Sequence, residues 1–339
     1  MKVKNLIICL VAASFALVIL ILTIVFLNPK KHKEESFDVN KNKPSENKLI
    51  LKECPVVGLI NDKNVCYFNS ILQALYSQRK FLGKLFEFKH NEDQKCIIIL
   101  KEIFDQMLAG KIVNTSKYLE EIISAAGKSK NFIVGQLQDA FDCLGILISQ
   151  ILKELNGNPK TGVFPQKVFK KFHRQNFIVE LFYNQGKETI TCDFCPFKNA
   201  YIRNYYAFVF YFENSIQESI YNRLKTSYFD CFPGSLQNKY HQAKNIFEFI
   251  RLPQIFIIKN TRSDIYKKIL IDNKMCVQNQ NYTFKACIFY INSNHFFTVA
   301  VHNGILYEFN DVVVKKLNIE SIEDIETHGM PDILIYEIL

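Results

Sequence analysis

The sequence predicts an α+β fold with a cleft between two lobes, carried behind an N-terminal membrane span. Three observations predict it. An uncharged apolar run fills Leu6 to Leu27. Helix-spaced apolar residues then occupy the first third of the remaining chain, and from Phe177 onward short β-branched and aromatic runs alternate with turn signals. Helices first and strands later, with no long linker between them, indicate segregated α and β layers. The 339 residues are 48% hydrophobic and 14% aromatic, enough to build a large core.

The apolar run, LIICLVAASFALVILILTIVFL, holds 22 residues. At about 1.5 Å per residue it reaches roughly 33 Å, enough for a hydrocarbon core of about 30 Å. A secretory signal has an apolar stretch of only about 7–15 residues. The run is therefore read as an uncleaved anchor, residues 5–27, contacting the membrane through residues 6–27. Lys2 and Lys4 flank one side, and Lys30, Lys31 and Lys33 the other. The positive-inside rule leans towards a single-pass protein whose C-terminal portion faces the cytosol. Residues 28–53 are mostly Lys, Asn, Glu, Pro and Ser, a composition that buries little and reads as a flexible linker. The globular unit is then 54–339.

Net charge is +9, of which +4 falls in residues 1–53. The rest has no dense Lys/Arg stripe, which excludes nucleic acid as the expected partner. Ten cysteines at irregular spacing in a long chain do not form a small disulfide scaffold, so a reducing compartment is expected.

Cys66 stands where a turn-rich run, Asn61 to Asn64, gives way to Phe68, Ile71, Leu72, Leu75 and Tyr76 at helical spacing. It therefore falls in the first turn of a helix over 67–77, where unpaired N–H groups and the dipole favour a thiolate. Position alone also fits a core thiol, because free cysteine is among the most buried residue types. Further helices are expected near 97–108 and over 138–155, the latter ended by Asn-Gly-Asn-Pro at 156–159. The expected strands are FIVELFY, AYIRNYYAFVFYF, QIFIIK, FKACIFYI, HFFTVAV, ILYEFN and ILIYEIL.

Seven histidines compete as a base for Cys66: His32, His90, His173, His241, His295, His302 and His328. A local argument singles one out. Asn303-Gly304 between two strand-like runs is a strong hairpin signal. A two-residue turn pairs His302 with Ile305 and Phe297 with Asn310. His295 and Asn310 become diagonal neighbours on one face, roughly 7–8 Å apart. Asn310 can then fix the imidazole tautomer by accepting its N–H, as a base requires. Strand alternation sends Asp311 and His302 to the opposite face.

These pieces together resemble the ubiquitin-specific proteases, papain-like cysteine peptidases. GLINDKNVCYFNSILQAL (58–75) resembles that family's cysteine box and LQDAFDCLGILI (137–148) its second box. LPQIFIIK (252–259) is similar to an inner strand. NHFFTVAV and LYEFNDVVV resemble the histidine box, and DILIYEIL the closing strand. The boxes stand in the family's order. The resemblance implies a helical thumb with a β-rich palm and fingers. It also implies a thiol-dependent deubiquitinase that hydrolyses the bond after the C-terminal glycine of ubiquitin. Cys66 would be the nucleophile, His295 the general base and Asn310 the third member. Asn61 would supply an oxyanion-hole donor and Asp311 a supporting role. Asp139 and Asp142 match acidic positions that pair with arginines of the ubiquitin tail. Asp139 equally fits a helix cap.

The chain departs from the family pattern in places. Lys63 replaces a glycine in the cysteine loop, a strain if that residue needs φ > 0. Asp62, Val65, Leu137 and Asn294 also differ from the pattern. The altered loop leaves two alternatives open: a weakly active or inactive ubiquitin-binding scaffold on a membrane, and a protease for a ubiquitin-like modifier. The family's fingers commonly hold a zinc between two Cys-x-x-Cys pairs. Here the implied ligands are Cys192, Cys195 and Cys231, with Gly234 in the fourth place. A structural zinc wants four ligands, so the set is incomplete and no cofactor is required, while three thiolates that recruit a distant ligand such as His241 leave a structural zinc open.

Overall fold

The computed structural model describes residues 54–127, 132–156, 176–195, 197–230, 242–261, 268–291, 294–325 and 329–339. All fall within one compact unit, Leu49–Leu339. The expected anchor at 5–27 and linker at 28–53 lie outside the described residues, as do Cys231 and His241. Among the described residues no helix is long and apolar enough to cross a membrane.

The chain begins with strand β1 (Leu59–Ile60) and runs into helices α1 (Cys66–Tyr76), α2 (Arg79–Glu87) and α3 (Lys95–Leu108). Strand β2 (Val113–Asn114), α4 (Ser116–Ala125), α5 (Ala140–Asn156) and α6 (Phe177–Phe182) follow. Next come β3 (Asn184–Cys192), β4 (Lys198–Tyr205), β5 (Phe208–Phe210), α7 (Ile216–Leu224), β6 (Ser227–Asp230) and β7 (Gln242–Arg251). The last third holds β8 (Ile255–Asn260), β9 (Lys274–Val277), β10 (Gln280–Ile291), β11 (His295–His302), β12 (Ile305–Asn310), β13 (Val313–Lys316) and β14 (Met330–Ile338).

An eight-stranded sheet runs β13-β12-β11-β10-β14-β8-β5, with β9 also on β10. Both its faces are covered, and the strands sort their side chains with period two. Ala286, Ile288, Phe296, Ala300, Ile333 and Ile335 face the core that contains the helices. Phe284, Cys287, Phe289, Phe297, Val299 and Leu334 face a second core with Ile216 and Ile220 of α7. A separate four-stranded sheet, β4-β3-β7-β6, projects as antiparallel ribbons.

α1 is the centre of the helical lobe. All eleven of its residues are buried, so it has no solvent face. Polar groups that periodicity leaves on its other side bond to neighbouring segments in the interior. Gln73 Nε2 donates to Val57 O at 2.8 Å. Thr298 Oγ1 on β11 donates to Ser70 O at 2.9 Å, tying the helix to the sheet. α3 and α5 are joined by Glu154, whose carboxylate accepts the N–H groups of Cys96 and Ile97 at 2.9 and 3.1 Å. These are donors of α3's first turn, which lack intrahelical partners.

One expected strand is a helix. FIVELFY forms α6 because Asn176 Oδ1 accepts the N–H groups of Ile178 and Val179 at 3.0 and 3.3 Å, an N-cap that starts a buried turn. A short apolar run does not reveal its period, so the cap decides. α2, α4 and α7 are helices that the periodicity did not single out.

Candidate active site

The Asn303-Gly304 turn forms as expected, both residues at positive φ, 51° and 81°. The ladder pairs His302 with Ile305 and Thr298 with Phe309. His295 opens β11 and Asn310 closes β12, so both lie at the end of the ribbon away from the turn. His295 Nε2 is 2.7 Å from Asn310 Oδ1. With a carbonyl oxygen as partner, Nε2 carries the proton and donates it.

The imidazole also interacts with Cys66. A hydrogen bond with Cys66 is the largest influence on His295 and raises its pKa to about 9. Burial opposes the rise, and the bonds to Asn310 and the charge of Asp311 add to it. Cys66 is the first residue of α1 and 2% exposed. Of the other candidates only His90 and His302 are among the described residues; His32, His173, His241 and His328 lie outside them. His302 is 3% exposed beside Tyr76 and Phe309, and burial, with Arg79, pushes its pKa down to about 4. It stays neutral in the core. His90 contacts Lys101 at 3.2 Å.

Asp311 departs from the expectation that strand alternation sends it away. It is a turn residue with φ 52°, and this left-handed step returns its side chain to the site. Its Oδ2 lies 3.9 Å from His295 Nε2. The same atom accepts Asn61 Nδ2 at 2.9 Å, and Oδ1 accepts Asn69 Nδ2 at 2.8 Å. Its backbone oxygen accepts Leu59 N at 2.9 Å. One carboxylate thus joins the cysteine loop, the nucleophile helix and the histidine ribbon. Asn69 was missed because a polar residue inside a helical pattern reads as solvent-facing.

Asn61 Oδ1 accepts the Val65 N–H at 2.7 Å and closes the loop before Cys66. Its Nδ2 carries two hydrogens, of which Asp311 uses one. The loop does not strain Lys63. The left-handed residue is Asn64, φ 53°, a type that tolerates this region. Lys63 instead pairs with Glu120 at 2.8 Å. Gly58 has a separate role: a Cβ there would sit 2.3 Å from Val312 O, so only glycine lets the two backbones touch.

Asp139 caps α5, its Oδ1 accepting the N–H of Phe141 at 2.7 Å and of Asp142 at 3.4 Å. Asp142 is exposed and lines a cleft of about 490 Å³ with Phe132, Gln138, Gly145, Lys153 and Tyr206 among others. Both carboxylates reach Tyr206, whose phenol is held protonated by burial and then by their charge. Phe132 packs edge-on against Tyr67, the residue after Cys66, at 5.7 Å. Phe132 is thus the one lining residue of this cleft shown in ring contact with Tyr67; Cys66, His295 and Asn310 do not line it.

Cys192 ends β3 and Cys195 follows three residues later, both partly exposed. Among the described residues no group of three or more His, Cys, Asp or Glu side chains is arranged to hold a metal ion. Two thiols are half of what a structural zinc closes around, and Cys231, the third implied ligand, lies outside the described residues.

Residues 57–336 match the profile of the family described as ubiquitin carboxyl-terminal hydrolase. Among solved structures, a chain of the SAGA DUB module Ubp8/Sgf11/Sus1/Sgf73 bound to monoubiquitin superposes with a TM-score of 0.66 at 15% identity, covering 85% of this chain and 70% of that one. The Ubp8-Sgf11-Sgf73-Sus1 SAGA DUB module gives 0.66 at 15%, covering 85% and 68%. At that identity the likeness is one of fold.

Proposed function

The chain belongs to the ubiquitin carboxyl-terminal hydrolase family and is a cysteine-type ubiquitin hydrolase; from that premise we propose that Cys66, His295, Asn310 and Asn61 cleave the bond after the C-terminal glycine of ubiquitin. The observation that carries the reading is the imidazole of His295, bonded through Nε2 to Asn310 Oδ1 and influenced most strongly by Cys66. With Nε2 committed to Asn310, Nδ1 is left to take the proton of the thiol. The thiolate attacks the glycine carbonyl. The developing oxyanion is met by the backbone N–H of Cys66 and the second hydrogen of Asn61 Nδ2. Losing one such donor typically costs about 10²–10³ in turnover. His295 then returns its proton to the leaving amine, and a thioester remains. Water activated by His295 releases ubiquitin and restores the thiol.

Asp139 and Asp142 carry negative charge at the start of α5, which suits the arginines of the ubiquitin tail. The match to a chain in a complex with monoubiquitin supports ubiquitin as the partner. The hydrolase is proposed to be held on a membrane by Leu6–Leu27, with residues 54–339 on the cytosolic side. The uncharged length of that run and the lysines beyond it support this reading.

The test is hydrolysis of ubiquitin–rhodamine by the full chain in detergent. Turnover that is lost in Cys66→Ala and His295→Ala upholds the mechanism. Wild-type rates equal to those of Cys66→Ala would falsify it. Ubiquitin binding without capture by a ubiquitin electrophile would point to a scaffold. Capture by another modifier's electrophile in preference to ubiquitin's would change the substrate. Carbonate extraction that frees the full chain from membranes would remove the anchor.

A further inference from the structure

Two residues that depart from the family pattern in the cysteine loop, Asp62 and Lys63, are held by one neighbouring segment. β1 pairs with β2 in parallel, Leu59 with Val113 and Ile60 with Asn114. Immediately after this pairing, Asn114 Nδ2 donates to Asp62 Oδ2 at 2.7 Å. Lys63 Nζ donates to Glu120 Oε1 on α4 at 2.8 Å. Between them, the Thr115 hydroxyl donates to Asn69 Oδ1 in the interior. Thr115 and Asn69 are 0% and 2% exposed.

The buried contact decides how an amide is turned. Asn69 Nδ2 donates to Asp311 Oδ1, and Asp311 Oδ2 accepts Asn61 Nδ2. The Thr115 hydroxyl occupies Asn69 Oδ1, so Nδ2 is the atom left to face the carboxylate. Without that hydroxyl Asn69 Oδ1 loses its donor in the interior, and the amide is held only through Nδ2, which donates to Asp311 Oδ1 at 2.8 Å and to Ile60 O at 3.3 Å. Buried polar chains of this kind are costly when half satisfied. The outer contacts act on the loop backbone instead, where Val65 N–H and Asn61 Oδ1 close the turn.

We propose that the junction of β2 and α4, Asn114 to Glu120, is a positioning brace for the oxyanion loop. Thr115 acts through Asn69 and Asp311 on Asn61, and Glu120 acts through Lys63. The residues touch no substrate in this role; they set where the Asn61 amide and the Cys66 N–H point. The proposal rests on the ubiquitin-hydrolase reading above.

The test uses the full chain and steady-state ubiquitin–rhodamine kinetics. Thr115→Val, which keeps the shape and loses the donor, is expected to lower kcat about tenfold with KM nearly unchanged. Thr115→Ser, which keeps the donor, is expected to recover most of the rate. Lys63→Glu and Glu120→Lys are each expected to lower kcat about twofold, and the double swap to restore it. Hydrogen exchange supplies a readout that needs no substrate: amides of residues 61–65 exchange faster in Thr115→Val while the sheet is unaffected. The brace is overturned by an unchanged kcat in Thr115→Val, by loss that Thr115→Ser shares, or by a swap that restores nothing. Should Thr115→Val fail to fold, the charge swap decides. Should the wild type show no turnover, the hydrolase reading fails, and exchange at 61–65 alone upholds or overturns the brace.

Discussion

Asn310 Oδ1 sits 2.7 Å from His295 Nε2, while the Asp311 carboxylate next to it stands 3.9 Å from the same nitrogen and is already bonded to two asparagine amides. The adjacent residues divide the work. The neutral amide orients the imidazole, and the charge one residue on organises the loop that carries Asn61.

This division predicts the pH dependence. His295 is raised from 6.5 to about 9, first by Cys66. A folded-state pKa above the unfolded one contributes stability that is full below pH 6.5 and lost as pH rises through about 9. In the proposed mechanism the imidazolium that serves the thiolate and the leaving amine disappears over the same range. Wild-type kcat/KM is expected to fall on an alkaline limb near pH 9. Asn310→Ala removes a raising partner and moves the limb to lower pH. Asn310→Asp adds a charge and moves it higher. Limbs that coincide in all three proteins would refute the assignment.

Asp139 combines a cap with a charge, and two substitutions separate them. Asparagine caps as well as aspartate. Asp139→Asn is expected to keep the melting temperature and raise KM for ubiquitin substrates. Asp139→Ala should also lose about 1 kcal/mol of stability. Asp142→Lys, on the exposed cleft, should raise KM with kcat little changed. Unaltered KM in both charge variants would leave the cleft without a part in tail binding.

Gly58→Ala drives a methyl into the Val312 backbone at 2.3 Å. Backbone cannot rotate away as a side chain can. The variant is expected to lose about 1–3 kcal/mol in urea denaturation and to lose activity as well, because Leu59 N–H holds Asp311 O beside the clash. Wild-type stability would show that the contact is slack.

Lys259 on β8 and Asp332 on β14 form an ion pair whose side chains are 10% and 0% exposed. Lys259→Met strands a buried carboxylate and is expected to cost about 3–5 kcal/mol. Adding Asp332→Asn should recover part of that loss. A double variant no better than the single would mean that the pair is not the source of the cost.

The amino-acid order alone determined the parts whose cause is local. Asn303-Gly304 admits one tight turn, and that turn puts His295 and Asn310 within reach of each other with no other information. The helical spacing after Cys66 put the thiol on a first turn for the same reason. Other features were decided by backbone steps, caps and buried contacts that spacing does not show. Asp311 returns to the site because φ 52° at one turn residue overrides strand alternation. Asn69 is buried and bonded because α1 is enclosed on every side, which a repeat of apolar residues does not reveal. Phe177–Phe182 coils because a buried asparagine caps it. Lys63 is relaxed because its neighbour takes the left-handed step and Glu120 takes its charge. Spacing along a chain encodes which residues share a face; which polar groups meet across that face is decided only when the lobes close and every buried donor must find an acceptor.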